Sequence, residues 1–146
     1  LREIKGDEIY NHEVGESVTV DVFKAGEIVD VTAVSKGHGY SGVIKKYGKH
    51  IGPKGHGSGY HRQIGSLATN GRCNNRVHPG KKMSGHYGNV QRTISNLLVV
   101  SVDASKNCIL IKGSVPGPKK SILKIKTSAK LGNKTKAVKP LVSYAD

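Results

Sequence analysis

The sequence has no Trp and a single Phe, so six Tyr supply nearly all of its aromatic surface. At 36% hydrophobic over 146 residues, there is material for one modest core and not two. No run approaches the roughly 18 apolar residues of a membrane span, and Leu1-Arg2-Glu3 does not open a signal peptide. A membrane or secretory reading is disfavoured. Two cysteines, Cys73 and Cys108, allow at most one bridge, fewer than an oxidised scaffold of this size carries, which favours a reducing compartment. The chain also opens without Met on an acidic strand-like segment, and we expect natural residues to precede Leu1.

The most informative scarcity is of carboxylate. Residues 1–31 hold three Lys+Arg against eight Asp+Glu, a balance of −5, so the remaining residues carry +19 of the total +14. Between Val31 and Val102 there is no carboxylate, while Lys36, Lys45, Lys46, Lys49, Lys54, Arg62, Arg72, Arg76, Lys81, Lys82 and Arg92 supply eleven cations. Folded domains rarely leave so many cations without partners, so the neutralising anions come from outside, and phosphate is the obvious source.

Val18, Val20 and Val22 alternate with Thr19 and Asp21, and Val29, Val31 and Ala33 alternate with Asp30 and Thr32. Both runs read as half-buried strands. Leu97 to Asp103 and Cys108 to Lys112 read as two more, joined by the hairpin turn Ala104-Ser105-Lys106-Asn107, and Ile122 to Lys126 as a fifth. Short strands with one polar face predict a small antiparallel barrel. From Lys119 onward the chain reads as a basic tail, partly disordered when free.

Ser35 to Arg92 differs from the rest, with 13 glycines, six of the seven histidines and little periodicity. It reads as an extended excursion ordered by a partner. Its one helix-like piece places Tyr40, Val43, Ile44 and Tyr47 on one face, with Gly48 as the stop. Glycine allows close approach of backbone to another surface, and adjacent Lys or Arg neutralises phosphates that the exposed N–H groups also bond. Ser35-Lys36-Gly37-His38-Gly39-Tyr40 and Gly52-Pro53-Lys54-Gly55-His56-Gly57-Ser58-Gly59-Tyr60-His61-Arg62 both follow this design, and neither matches a Walker loop. Interleaved Tyr40, Tyr47, Tyr60 and Tyr87 suit stacking on unpaired bases, against the plainer reading that each packs on its own loop. His50, His56, His61 and Cys73 lack the paired spacing of a structural zinc site, so no metal or cofactor is expected.

The motifs Ser35-Lys36-Gly37-His38-Gly39-Tyr40, Gly55-His56-Gly57-Ser58, His61-Arg62, Gly65-Ser66, Gly80-Lys81-Lys82-Met83-Ser84-Gly85-His86-Tyr87-Gly88-Asn89 and Lys112-Gly113-Ser114-Val115-Pro116-Gly117 occur in one order. In that order they resemble the large-subunit ribosomal protein L3 family of the bacterial and organellar type, from about Val14 to Lys126. The resemblance implies a six-stranded barrel of the translation-factor type, here residues 1–34 and 93–126 and open because its first strands precede Leu1. It also implies an inserted rRNA-penetrating loop, 35–92, that approaches the peptidyl transferase centre, and a role in organising subunit assembly. Residues 127–146 would form the basic tail. His86 stands where some bacterial members have a methylated Gln, and His78-Pro79 where the family has an aromatic and a Lys.

On this reading the RNA contacts are Lys36, His38, Lys45, Lys46, Lys49, Lys54, His56, Tyr60, His61, Arg62, Arg72, Arg76, Lys81, Lys82, His86, Tyr87 and Arg92. The functional end of the loop is Lys81–Asn89, where Gly85 and Gly88 let the backbone lie against RNA and His86 and Tyr87 offer flat rings to a base. The expected partners are large-subunit rRNA and neighbouring large-subunit proteins, with no membrane and no homo-oligomer, in a bacterial cytoplasm or an organelle. An enzyme acting on RNA through His56, His61 or His86 lacks a carboxylate to orient the histidine or hold a metal. A free regulatory RNA-binding module would carry its stacking aromatics on strands rather than in a Gly-rich excursion.

Overall fold

The computed structural model describes residues 2–5, 12–67, 76–131 and 134–139. Its strands are β1 (Ile28–Val34), β2 (Gly39–Ser41), β3 (Gly85–Tyr87), β4 (Gln91–Asp103), β5 (Cys108–Lys112) and β6 (Lys124–Thr127), with one helix, α1 (Val43–Tyr47), among the described residues. The chain divides into two compact units. Leu1–Thr32, Thr93–Val115 and Leu123–Asp146 form the first, and Ala33–Arg92 with Pro116–Ile122 the second.

The first unit is built on β1, whose first four residues are all buried. Val29, Val31 and Val99 are wholly inaccessible, and Phe23, Leu97, Val102, Ile109, Ile111, Leu123 and Ile125 pack around them. Burying a Val of this kind contributes about 1.5–3 kcal/mol, so this small β-branched cluster dominates the unit's stability. β5 pairs antiparallel with β4 (Leu98↔Lys112 to Asp103↔Cys108), with a bulge between Val99 and Ser101. The turn after β4 is held by the Asp103 carboxylate, which accepts from the Ser105 hydroxyl at 2.6 Å and from the N–H groups of Ser105 and Lys106. On the other side β6 pairs antiparallel with β1, from Val29↔Thr127 to Thr32↔Lys124.

These strands do not make the expected barrel. The sheet order is β5-β4-β1-β6, with β5 and β6 as edges, and β2 and β3 form a separate two-stranded sheet. A barrel needs its edge strands to bond each other, and no such pairing joins β5 to β6. The described strands number six, yet two of them are three-residue pieces of the glycine-rich segment that pair only with one another.

Two strand expectations also change. The Val18–Val22 run is not a strand: Val20–Val22 is a single 3-10 turn in which no residue is buried. Local bonds took precedence over alternation, since Thr19 Oγ1 donates to Asp21 at 2.9 Å and the Val20 N–H donates to Asn107 Oδ1 at 3.1 Å. The fifth strand begins two residues late, at Lys124, and Ile122 is exposed in the irregular stretch before it.

Asp30 departs from the polar, solvent-facing role its alternation predicts, being only 5% exposed. Its Oδ1 accepts from the Asn96 N–H at 2.9 Å and its Oδ2 from the Ala129 N–H at 3.3 Å. Asn96 takes a left-handed φ of 62° within β4, and its Oδ1 accepts from the buried Ser128 hydroxyl at 2.7 Å. Burial pushes the Asp30 carboxyl up, but the Asn96 and Ala129 N–H groups and the nearby Lys126 charge together hold it below the ordinary Asp value. This network ties β1 and β4 to the start of the basic tail. The Ser128 N–H bonds the Ile28 carbonyl and the Lys136 N–H bonds the Gly26 carbonyl, so the tail is tied at these two points to the start of β1 and the residues just before it.

Candidate nucleic-acid interface

The second unit starts where β1 leaves the core. The Ser35 N–H donates to the Val90 carbonyl at 2.9 Å and the His38 N–H to the Tyr87 carbonyl at 2.8 Å, so the two arms of the glycine-rich segment are joined at their base. β2 and β3 continue the join in antiparallel register, Gly39↔Tyr87, Tyr40↔His86 and Ser41↔Gly85. The His38 and Tyr87 rings stack at 4.8 Å with planes inclined by 21°.

The short helix forms within the predicted span but begins later. Gly42 is its N-cap, the Lys46 N–H bonds the Gly42 carbonyl, and Gly48 closes it in the left-handed region with φ 64°. Val43 is buried, whereas Tyr40 sits on β2 and is 81% exposed. Tyr40 is thus not part of the helix face, because strand pairing with β3 claims it first.

Beyond the join, the Gly52 N–H bonds the His61 carbonyl at 2.7 Å and His61 Nδ1 lies 3.0 Å from the Pro53 carbonyl oxygen, which closes a loop carrying Lys54 and His56 at its exposed turn. Tyr60 is half-buried with its ring against Gly52 and Gly65, so it packs on its own loop. Among the described residues, no group of three or more His, Cys, Asp or Glu is placed to hold a metal ion, and Cys73 lies outside them.

Charge is the dominant property of this unit. Residues 33–92 and 116–122 contain no carboxylate, while Lys119 and Lys120 join the eleven cations of the glycine-rich segment. The ion pairs among the described residues are Lys5–Glu3, His12–Glu16 and Lys106–Asp103, all in the other unit. Lys36, Lys45, Lys49, Lys54, Arg62, Lys81, Lys82 and Arg92 are largely exposed or half-exposed, as are His38, His56, His61 and His86. Arg76 is exposed too, and Arg72 lies outside the described residues. Lys119 and Lys120 were legible only as tail residues, because nothing in the sequence signals that Pro116–Ile122 folds against the glycine-rich segment. A concave surface of about 510 Å³ lined by Val34, Ser35, Lys36, Gly37, Asn89, Pro118 and Ser121 marks where it does so.

Within Lys81–Asn89 the fold fixes the second half most firmly. Its strand β3 pairs with β2 at the base, and Tyr87 already stacks on His38. Of the two rings proposed for base stacking, His86 is exposed and Tyr87 is half-buried.

The protein-family model described as Ribosomal protein L3 matches residues 7–108. The chain belongs to the ribosomal protein L3 family. Curated relatives agree. It is 52% identical over 130 residues to "Large ribosomal subunit protein uL3" of Latilactobacillus sakei, covering 89% of this chain and 60% of that protein. It is 53% identical over 133 residues to the protein of that name from Oceanobacillus iheyensis, covering 91% and 62%, and 47% identical over 136 residues to that of Geobacillus kaustophilus, covering 93% and 63%. The chain therefore spans about three fifths of the length of these L3 relatives.

Amide exchange on the free protein tests this layout. Amides of β1 and of the part of β4 paired with β5, with those of Ser35 and His38, are expected to exchange slowly, and those of residues 53–59 quickly, because little secondary structure shields them. Equal protection across both sets would contradict it.

Proposed function

We propose that this chain is a non-catalytic RNA-binding constituent of the large ribosomal subunit. The observation that carries the reading is the second unit, in which thirteen Lys and Arg share a glycine-rich fold with no carboxylate. That the L3 relatives are large ribosomal subunit proteins supports it. In this proposal the sheet unit is the anchor, residues 35–92 are the part that enters large-subunit rRNA toward the peptidyl transferase centre, and the lysines of 127–146 add phosphate contacts. Of the candidate contacts named from the sequence, the lysines and arginines act as phosphate-neutralising cations, and the exposed His56, His61 and His86 offer rings to unpaired bases. Tyr60 packs instead on its own loop and Tyr87 on His38. Neighbouring large-subunit proteins are further partners, and the chain acts in subunit assembly in the cytoplasm of a bacterium or inside an organelle.

Binding to a bacterial large-subunit rRNA transcript, measured across a salt series, tests the reading. With about 0.7–0.9 counterions released per phosphate neutralised, engagement of half the eleven cations of the glycine-rich segment gives a log–log slope of about −4 or steeper. A slope near zero, or failure to comigrate with large subunits on sedimentation of an extract, would overturn it.

A further inference from the structure

We infer that Lys46, Tyr47 and Lys82 form one composite clamp, in which a tyrosine ring holds two ammonium groups for a single backbone phosphate. The inference rests on the RNA-binding reading and names one of its contact sites.

Lys46 Nζ lies 5.2 Å and Lys82 Nζ 5.5 Å from the centroid of the same Tyr47 ring. Both distances are within the range in which a ring quadrupole attracts a cation. The two lysines are thirty-six positions apart in the chain. Pairing of β2 with β3 joins the segments from which each of them comes. Lys46 is half-exposed and its amine is directed over β3, since a Cβ on Gly85 would stand 3.3 Å from its Nζ. The sequence alone pairs Lys82 with its neighbour Lys81, but in the fold it shares a ring with Lys46.

Two ammoniums on one ring repel each other, and neither has a carboxylate partner among the described residues. The second unit contains none to offer. An anion with two acceptor oxygens relieves that repulsion, and a phosphodiester presents two non-bridging oxygens, one for each ammonium. Tyr47 is 38% exposed, so the ring is open on one side to a strand carrying that phosphate. Its role is positioning, since it reduces the rotamer freedom that each lysine would otherwise lose on binding.

The test uses the full chain and a bacterial large-subunit rRNA transcript, with affinity measured across a salt series for Lys46→Gln, Lys82→Gln, the double variant, Tyr47→Phe and Tyr47→Leu. A shared phosphate predicts that the double variant loses only about 0.7–0.9 from the log–log slope, which is roughly a 5–10-fold weaker affinity near 0.1 M salt. Each single Lys variant should account for most of that loss. Tyr47→Leu should reproduce it, whereas Tyr47→Phe, which keeps the ring face, should bind like the parent. Amide protection at His38 checks that each variant keeps the β2–β3 join. A double variant that loses about twice that slope, with additive singles, would show two independent phosphate contacts and overturn the clamp. Unchanged binding in all five would also overturn it while leaving the RNA-binding reading intact. A parent chain with no salt-dependent binding would overturn that reading itself.

Discussion

Replacing Asp30 by Ala is expected to lower the unfolding free energy of the chain by about 1.5–3 kcal/mol, the usual worth of hydrogen bonds to a charged group. The substitution leaves the Asn96 and Ala129 N–H groups without their acceptor at a site that is 5% exposed. It also removes the contact that stabilises the left-handed Asn96 within β4. The pH dependence has a definite sign. Because the folded-state pKa of Asp30 lies below its ordinary value, its contribution is fully present above the unfolded pKa of about 3.9 and is lost as pH falls through the lower folded value. Chemical denaturation should therefore show the gap between parent and Asp30→Ala narrowing below about pH 4. A constant gap down to about pH 2 would mean that packing, and not the carboxylate, is responsible.

How far such features are legible in the sequence depends on the range of the interaction behind them. The β1 core and the β4–β5 hairpin follow from alternation and a four-residue turn, both local. The helix stop at Gly48 is local as well. Alternation failed at Val18–Val22 because a nearby Thr–Asp bond and a distant Asn107 satisfied the backbone there without a sheet. It misplaced Asp30 because the groups that justify its burial, Asn96 and Ala129, lie far along the chain. The barrel expectation failed for the same kind of reason, since strand order and closure are set by pairing that no single run encodes. For the candidate interface, composition carried most of the signal. The carboxylate-free stretch and its cations are visible in one pass, whereas the meeting of Lys46 with Lys82, and of Lys119 and Lys120 with the glycine-rich segment, exists only in the fold.

Gly88→Val is expected to detach the two arms of the second unit while sparing the sheet. Gly88 has φ +75°, a conformation that costs a non-glycine residue about 1–3 kcal/mol. A Cβ there would also run into the Lys36 carbonyl, with the Lys36 carbonyl carbon at 2.9 Å and the Gly37 Cα at 3.0 Å. These are backbone atoms and cannot swing aside. The bare face of Gly88 is therefore occupied by this chain's own backbone, so its glycine is required by the join before any question of contact with RNA. Gly85 is the contrasting position: its Cβ would meet only the mobile end of Lys46, 3.3 Å away. In Gly88→Val the amides of Ser35 and His38 should lose their protection while those of Val29 and Val99 keep theirs. Loss of the join displaces at least two phosphate-neutralising cations, so affinity for the rRNA transcript should fall tenfold or more, roughly, near 0.1 M salt. Gly85→Ala should stay within about threefold of the parent, as for a surface substitution worth about 0.5 kcal/mol. If Gly88→Val kept both His38 protection and parental affinity, the close approach of Gly88 to Lys36 would not be what holds the arms together.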